Sequence, residues 1–153
     1  MSAPVQLSVA LATVQDFAAR AGAERVAVLL DTGGGAPLLL EALDDGSLNV
    51  TEGEATRPVA PDRSVAPLHL HGVRAVPPSA LSADPERGEL AAPLGGIQLL
   101  ADSVLALARA LGGRSVATAT FPTRDPDTPL TVAAREGEPV VLDIAGRHFT
   151  LPA

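Results

Sequence analysis

Histidines are the side chains with the clearest chemical potential in this 153-residue chain. His69 and His71 flank Leu70, and residues i and i+2 of an extended strand point to one face. Two imidazoles at this spacing suit many metal sites that use histidine ligands. His148 lies in the last predicted strand, and abundant carboxylates could complete a site with it. The interpretation that the sequence favours is a half-exposed edge strand in which Leu68 and Leu70 face inward. The alternative is a metal site on His69 and His71, with His148 as a further candidate ligand.

Other patterns that resemble functional loops lack residues that the chemistry needs. Gly33 to Gly35 form a glycine run, but Pro37 and a predicted strand follow where a phosphate-binding loop would open a helix. Asp125 and Asp127 gather carboxylates without the late bidentate glutamate of a calcium loop. No serine lies in a Gly-x-Ser-x-Gly elbow. We therefore predict no catalytic residue and no cofactor.

Several reactive residue types are missing from the chain. The absence of cysteine excludes disulfides, thiolate nucleophiles and cysteine-ligated zinc. All 11 basic residues are arginine, so Schiff-base chemistry and a phosphate-binding lysine are excluded too. Tyrosine is also absent, which removes phenolic acid–base catalysis. These absences favour a protein without enzymatic activity.

Charge and hydropathy exclude further classes of partner. The formal net charge is −7, the arginines are scattered, and aromatic residues make up only 2% of the chain. A nucleic-acid binder normally carries a basic stripe and aromatic side chains that stack on bases. No apolar stretch approaches the roughly 18 residues of a membrane span. Residues 1–4 lack the basic start of a signal peptide, so we expect a cytoplasmic protein that binds neither nucleic acid nor membrane.

The helix and strands that must position these residues are predicted twice along the chain, in the same order. Apolar residues recur at helical spacing between Leu7 and Ala21, and Gly22 suits the end of that helix. Strands are predicted at 25–31, 38–43 and 48–51, with Asp-Asp-Gly at 44–46 as a hairpin signal and a possible fourth strand after residue 53. A second helical stripe runs from Ile97 to Leu111. The strands predicted after it are 116–121, 129–135, 139–144 and 148–151.

The two halves also share residues at a nearly constant spacing. A shift of 90 residues aligns the helices and first strands, and shifts of 92 and 93 align the later positions. The aligned pairs are Val14 with Val104, Ala18 with Ala108, Gly22 with Gly112, Val26 with Val116, Ala27 with Ala117, Pro37 with Pro129, Leu38 with Leu130, Ala42 with Ala134 and Gly53 with Gly146. The repeated order of helix, stop signal, strand and turn supports this alignment better than the identities alone.

We therefore predict an α+β fold with an internal duplication of a helix followed by three or four antiparallel strands. The two halves share one core, and both helices pack on one side of the strands. Residues 1–153 form a single domain, with halves at 4–60 and 93–153 and a Pro-rich connecting segment at 54–92. Proline removes donors from a sheet, so only an edge strand at 65–76 and a short strand at 89–92 are expected in that segment.

The second helix is more apolar than a one-sided surface helix requires. Leu94, Leu99 and Leu105 extend its apolar stripe, so it either packs centrally or presents a patch for dimerisation. We expect a non-catalytic protein-interaction module that homodimerises and binds an unidentified protein partner through a sheet edge or this helix. One alternative is a small-molecule-binding protein or enzyme with a pocket under the Pro-rich segment, where the three histidines supply the polar groups. Another is a metal-binding protein that uses His69 and His71.

Overall fold

The computed structural model describes residues 7–30, 37–60, 64–70, 73, 82–84, 89–91, 96–112, 115–123, 129–144 and 147–151. These residues form two helices and ten strands. In chain order the elements are α1 (Leu7–Ala21), β1 (Arg25–Leu30), β2 (Leu38–Leu43), β3 (Leu48–Glu52), β4 (Ala55–Val59), β5 (Ser82–Asp84), β6 (Glu89–Ala91), α2 (Gly96–Leu111), β7 (Val116–Phe121), β8 (Leu130–Arg135), β9 (Val140–Ile144) and β10 (Arg147–Leu151).

Helix α1 forms where the sequence predicts it. Its apolar side chains at helical spacing, including Val14 and Phe17, are buried against the sheet. Asp16 and Arg20 pair across one turn on the outer side, at 3.6 Å. Gly22 ends the helix with a φ of 72°, a left-handed conformation that favours glycine. The backbone N–H of Ala23 then donates to the carbonyl of Ala18 at 3.0 Å.

Eight of the strands form one antiparallel sheet in the order β10-β9-β8-β7-β1-β2-β3-β4. Strands joined by short connections lie beside each other, as hairpins require. Strands β1–β4 and strands β7–β10 join at the centre of the sheet, where β1 pairs with β7 and Ala27 lies opposite Thr118. Strands β5 and β6 pair separately as a two-stranded sheet.

The β2–β3 hairpin confirms the turn predicted at residues 44–46. The N–H of Leu43 donates to the carbonyl of Ser47, and the N–H of Gly46 donates to the carbonyl of Leu43, each at 3.0 Å. Gly46 has a φ of 89°. A three-residue loop that ends in a left-handed glycine is a common hairpin connection, so glycine at this position fixes the register of the two strands.

Both helices pack on the same face of the eight-stranded sheet, as predicted. Helix α1 contacts β1 and β2, whereas α2 contacts β7 and β8. Val26 and Val28 of β1 and Ala117 and Ala119 of β7 point to that face and are fully buried. Since strand side chains alternate between faces, the residues between them point to the opposite side of the sheet. The chain is therefore an α+β fold with one face of its sheet covered by helices.

The two parts of the sheet have the same order of elements, but the alignment of their first strands differs from the predicted one. β1 begins at Arg25 and β7 at Val116, an offset of 91 rather than 90. Val26, which is buried, therefore corresponds to Ala117, and its predicted match Val116 points to the other face. The difference arises because the connection between helix and strand is one residue longer in the second half. With the offset of 91, Ala27 pairs with its own counterpart, Thr118. Arg25 pairs with Thr120, the counterpart of Leu29, and Leu29 pairs with Val116, the counterpart of Arg25, so the β1–β7 register is symmetric.

Helix α2 packs centrally, in contact with α1, β7 and β8. Leu105, one of its surplus leucines, is 8% exposed and belongs to the core. Leu99 is 38% exposed. Leu94 lies outside the described residues. Among the α2 side chains that the structure describes, those of residues 99–111, Leu99 is therefore the one large apolar side chain that is exposed.

The described part of the Pro-rich connection lies on α1. We call residues 64–70 the strap; they contain no strand, so the prediction of an edge strand at 65–76 is wrong for these residues. The reason is local: the N–H of Leu68 donates to Oγ1 of Thr13 on α1 at 2.9 Å instead of to a neighbouring strand. Leu70 is buried in the core. The short strand predicted at 89–92 is confirmed as β6.

Candidate functional site

The histidines that the sequence singles out lie on separate parts of the fold. His69 is exposed on the strap, which packs on α1 above β1 and β2. His148 lies on β10, the edge strand at the far end of the sheet. Four strand spacings of about 4.8 Å separate β10 from β1, roughly 19 Å along the sheet. His71 lies outside the described residues, and within the described ones no cluster of three metal-ligating side chains occurs.

His148 has a local partner. Its Nδ1 lies 3.5 Å from Oδ2 of Asp143, the residue directly opposite on β9. The side chain of His148 is 69% exposed, so this is a solvated cross-strand pair. The glycine run at 33–35 and the carboxylates of Asp125 and Asp127 lie outside the described residues.

Among the described residues, the side of the eight-stranded sheet opposite the helices is not covered by either helix, and we call it the open face. Its centre is mainly apolar around Thr118, and the ladder register makes these apolar side chains contiguous. Leu29 on β1 is 39% exposed and Val141 on β9 is 38% exposed. We call this central group the apolar stripe; its members are Ala27, Leu29, Leu39, Val116, Ala133 and Val141.

Polar side chains border the apolar stripe and satisfy each other across neighbouring strands. Nε and Nη2 of Arg25 donate to Oε2 of Glu41 at 3.0 and 2.6 Å. On the β3–β4 side, the hydroxyls of Thr51 and Thr56 lie 2.8 Å apart. On the β7–β8 side, those of Thr120 and Thr131 are 3.5 Å apart. An apolar centre with a polar rim is the usual anatomy of a protein–protein interface.

The open face is electrically balanced although the chain is acidic. Among its described side chains, Arg25 and Arg135 carry positive charge, and Glu41 and Asp143 carry negative charge. The chain as a whole has a net charge of −7. The excess negative charge therefore lies mainly elsewhere on the molecule.

A concave surface lies on the helix side of the sheet, near the residues where β1 begins. It is an open groove of about 730 Å³ between the C-terminal half of α1, the β2–β3 turn, the strap and Pro122. Its lining is mainly alanine, glycine, proline, valine and leucine, and its polar groups are Gln15 and three carboxylates, those of Asp16, Glu24 and Asp44. Neither His69 nor His148 lines it.

One pKa near this groove departs from its ordinary value. Hydrogen bonds from the side chain and backbone of Ser47 lower the pKa of Asp45. The backbone N–H of Ser47 donates to Oδ1 of Asp45 at 2.8 Å, which caps the β2–β3 turn. This is the role of an aspartate that stabilises a turn rather than of an acid–base catalyst.

Comparisons of the chain with protein-family models, with curated proteins and with solved structures give no match.

The sequence did not predict the open face, and its alternative of a pocket under the Pro-rich segment named histidines instead of the carboxylates that line the groove. A signal for the open face exists in β1 and β2, where Leu29 and Leu39 occupy outward positions that a half-exposed strand would normally give to polar residues. A signal for the groove exists in the predicted hairpin, because the start of β1 and the end of β2 meet at one edge. Glu24 and Asp44 come together for this reason.

Proposed function

We propose that the protein is a non-catalytic interaction module that forms a homodimer through the open face of its sheet and acts in the cytoplasm. The observation that carries the proposal is the apolar stripe, which is left exposed on the face without helices and is bordered by satisfied polar pairs. Antiparallel sheets that face water on one side normally place polar residues there. An exposed apolar patch with a polar rim marks an interaction site.

The dimensions of the face reach the lower limit for a specific dimer interface. Seven strand spacings of about 4.8 Å and five residues of about 3.4 Å give a surface of roughly 34 by 17 Å. Two copies packed face to face would bury about 1,100 Å² in total by this estimate, above the roughly 1,000 Å² that specific interfaces need. Two sheets can also pack face to face as in a β-sandwich.

The charge balance of the face favours a second copy as its occupant. Two molecules that each carry a charge of −7 repel one another, so their contact surface should add no further repulsion. The open face meets this requirement, because Arg25 and Arg135 balance Glu41 and Asp143. The groove side does not, because only one of its three carboxylates, that of Asp16, has a described ion-pair partner. We therefore assign the dimer contact to the open face.

We further propose that the two halves arose by duplication and share one core about a pseudo-two-fold axis. The repeated order of elements and the symmetric β1–β7 register support this proposal. A matched detail also supports it: Thr13 and Ser103 lie 90 residues apart, and each is 1% exposed. Each donates its hydroxyl to the carbonyl four residues earlier at 2.7 Å, Thr13 to Val9 and Ser103 to Leu99.

The sheet edge is the less favoured route to the unidentified protein partner. Strand β4 is one edge of the sheet, and it carries Arg57, which is exposed, and Pro58, which has no N–H to donate. Charged residues and proline are the features by which natural sheets discourage strand addition. We therefore do not expect an additional protein partner to extend the sheet at β4.

The dimer proposal is tested by sedimentation equilibrium of three proteins at the same concentrations. Leu29 and Leu99 are matched probes, since they are 39% and 38% exposed, on the open face and on α2 respectively. We expect the wild type and Leu99→Arg to have twice the 15.5 kDa chain mass, and Leu29→Arg to be monomeric with unchanged circular dichroism. A monomeric wild type, or loss of the dimer in Leu99→Arg but not in Leu29→Arg, would contradict the assignment.

The two alternative functions remain predictions with less support. A pocket under the Pro-rich segment with histidines as its polar groups is not what the groove offers, since its described polar groups are carboxylates and a glutamine. The metal hypothesis depends on His71 as well as His69. Thermal melting with and without zinc tests it, because a metal bound only to the native state raises the melting temperature.

A further inference from the structure

The groove beside α1 has features that specify a ligand of defined chemistry. Its walls are apolar: Ala12 and Ala19 come from α1, and Val65 and Pro67 come from the strap. Its rim carries the carboxylates of Glu24 and Asp44, both exposed. This site lies on the helix side of the sheet and is independent of the open face.

Backbone hydrogen bonds fix the main chain of the two residues that carry the rim carboxylates. The N–H of Glu24 donates to the carbonyl of Thr120 at 2.8 Å, and the N–H of Asp44 donates to the carbonyl of Glu24 at 3.0 Å. Gln15 spans from α1 to the β2–β3 turn, where its Nε2 donates to the carbonyl of Gly46 at 3.4 Å. A site that is ordered before binding loses less entropy when its ligand arrives.

The groove is negative, because described side chains neutralise only one of its three carboxylates, that of Asp16. Glu24 and Asp44 form no ion pair within the described part of the chain, and no arginine stands among the described lining residues. Arg20, in the last turn of α1, pairs with Asp16 instead. The C-terminal end of α1 adds the partial negative charge of its unpaired carbonyls at the same place. Charge complementarity therefore requires a cationic partner.

We propose that this groove binds a short segment of a partner protein in which an arginine or lysine is flanked by aliphatic residues. The aliphatic stem of such a side chain would lie on the alanine and proline walls, while its cationic end reaches Glu24 and Asp44. The groove is open to solvent, so a free small amine would leave much of its surface in water. A peptide can cover the full length of the groove, which favours a peptide over a small molecule.

The chain contains no tryptophan or tyrosine, so the fluorescence of a tryptophan on a ligand can be followed without background from the protein. The probe is an amidated peptide with one arginine between two leucines and a terminal tryptophan, followed by tryptophan anisotropy. We expect saturable binding of this peptide. The same peptide with neutral citrulline should bind about three- to tenfold more weakly, the range expected for loss of contacts with two solvent-exposed carboxylates.

Substitutions in the groove and in a control turn test where the arginine peptide binds. Glu24→Gln combined with Asp44→Asn should weaken binding of the arginine peptide by the same factor, and Ala19→Leu should block it by filling the groove. Leucine is nearly as good a helix former as alanine, so Ala19→Leu should keep the fold. Glu136→Gln with Glu138→Gln, in the β8–β9 turn, is the matched control with the same change in net charge and should bind like the wild type.

Four results of the peptide experiments would overturn the proposal, and competition with butylguanidinium adds a fifth. The four are no saturable binding of the arginine peptide, equal binding of the citrulline peptide, unchanged binding in both groove variants, or an equal loss in the control. Displacement of the peptide by butylguanidinium at peptide concentrations would identify a small-molecule site instead of a peptide site. The monomeric Leu29→Arg variant should bind the peptide normally, which separates a failure here from a failure of the dimer proposal.

Discussion

The hydroxyl of Thr13 is the contact by which α1 holds the strap. It donates to the carbonyl of Val9 at 2.7 Å and accepts the N–H of Leu68 at 2.9 Å. Thr13→Val replaces the hydroxyl by a methyl group of similar size, so no cavity forms. The N–H of Leu68 then loses its acceptor, although Leu68 is half-buried and water can partly replace the bond. We expect the free energy of unfolding to fall by about 1–2 kcal/mol.

The assay combines urea denaturation with amide hydrogen exchange. A local loss of about 1–2 kcal/mol should accelerate exchange of the Leu68 amide by roughly 5- to 30-fold. Ser103→Ala is the matched control, since the Ser103 hydroxyl also donates to the carbonyl four residues earlier but accepts no hydrogen bond from another described segment. That variant should leave exchange at Leu68 unchanged. Unchanged Leu68 exchange in Thr13→Val, or equal acceleration in both variants, would refute the role of Thr13 in holding the strap.

Two further predictions concern the β2–β3 turn. Gly46→Ala should lower the free energy of unfolding by about 1–2 kcal/mol in urea denaturation, because φ is 89° and a Cβ there meets no atom within 4 Å, so the cost is purely conformational. Gly46→Asn should lower the free energy of unfolding by less than Gly46→Ala does, and an equal loss in both variants would contradict a purely conformational cost. Because hydrogen bonds from Ser47 lower the pKa of Asp45, its carboxylate stabilises the fold above the ordinary aspartate value of about 4 and ceases to do so as the pH falls through the lowered value. Asp45→Asn should therefore show a weaker loss of stability between pH 5 and 2 than the wild type in acid titrations, and identical titration curves would disprove it.

Periodicity in the sequence predicts the helices and most strands because local rules decide them. The helical spacing from Leu7 to Ala21, the glycine at 22 and the Asp-Asp-Gly turn at 44–46 each depend on neighbouring residues alone. The pairing of β1 with β7 depends on residues about 90 positions apart, and the sequence predicts two similar halves without predicting which strands join them. Topology is thus the part that local patterns leave open.

The misaligned first strands show where residue identity misleads. Identity favours matching Val26 with Val116, but the alternation of buried and outward positions requires Ala117. A one-residue slip in a strand moves every side chain to the other face, so the period of two is the stronger guide. A similar conflict affected the strap, where Pro67 and the bond from Leu68 to Thr13 replace the edge strand that alternating leucines and histidines indicated.

The candidate surfaces were harder to predict than the histidines because they contain few reactive residues. Leu29, Leu39 and Val116 indicate an open apolar face only after the strand order brings them together. The groove depends on small residues such as Ala19, whose role is to leave space. Sequence patterns emphasise reactive side chains such as His69 and His148, which the fold separates.

The most direct test of the open-face dimer uses the absence of native cysteine. Thr118→Cys places a single thiol opposite Ala27 at the centre of the face, and Ala19→Cys places one on the exposed side of α1. Stacked sheets lie about 10 Å apart, within reach of a short bis-maleimide. We expect a covalent dimer for Thr118→Cys and a monomer for Ala19→Cys at equal concentration. A Thr118→Cys protein that stays monomeric, or equal cross-linking of both, would contradict it.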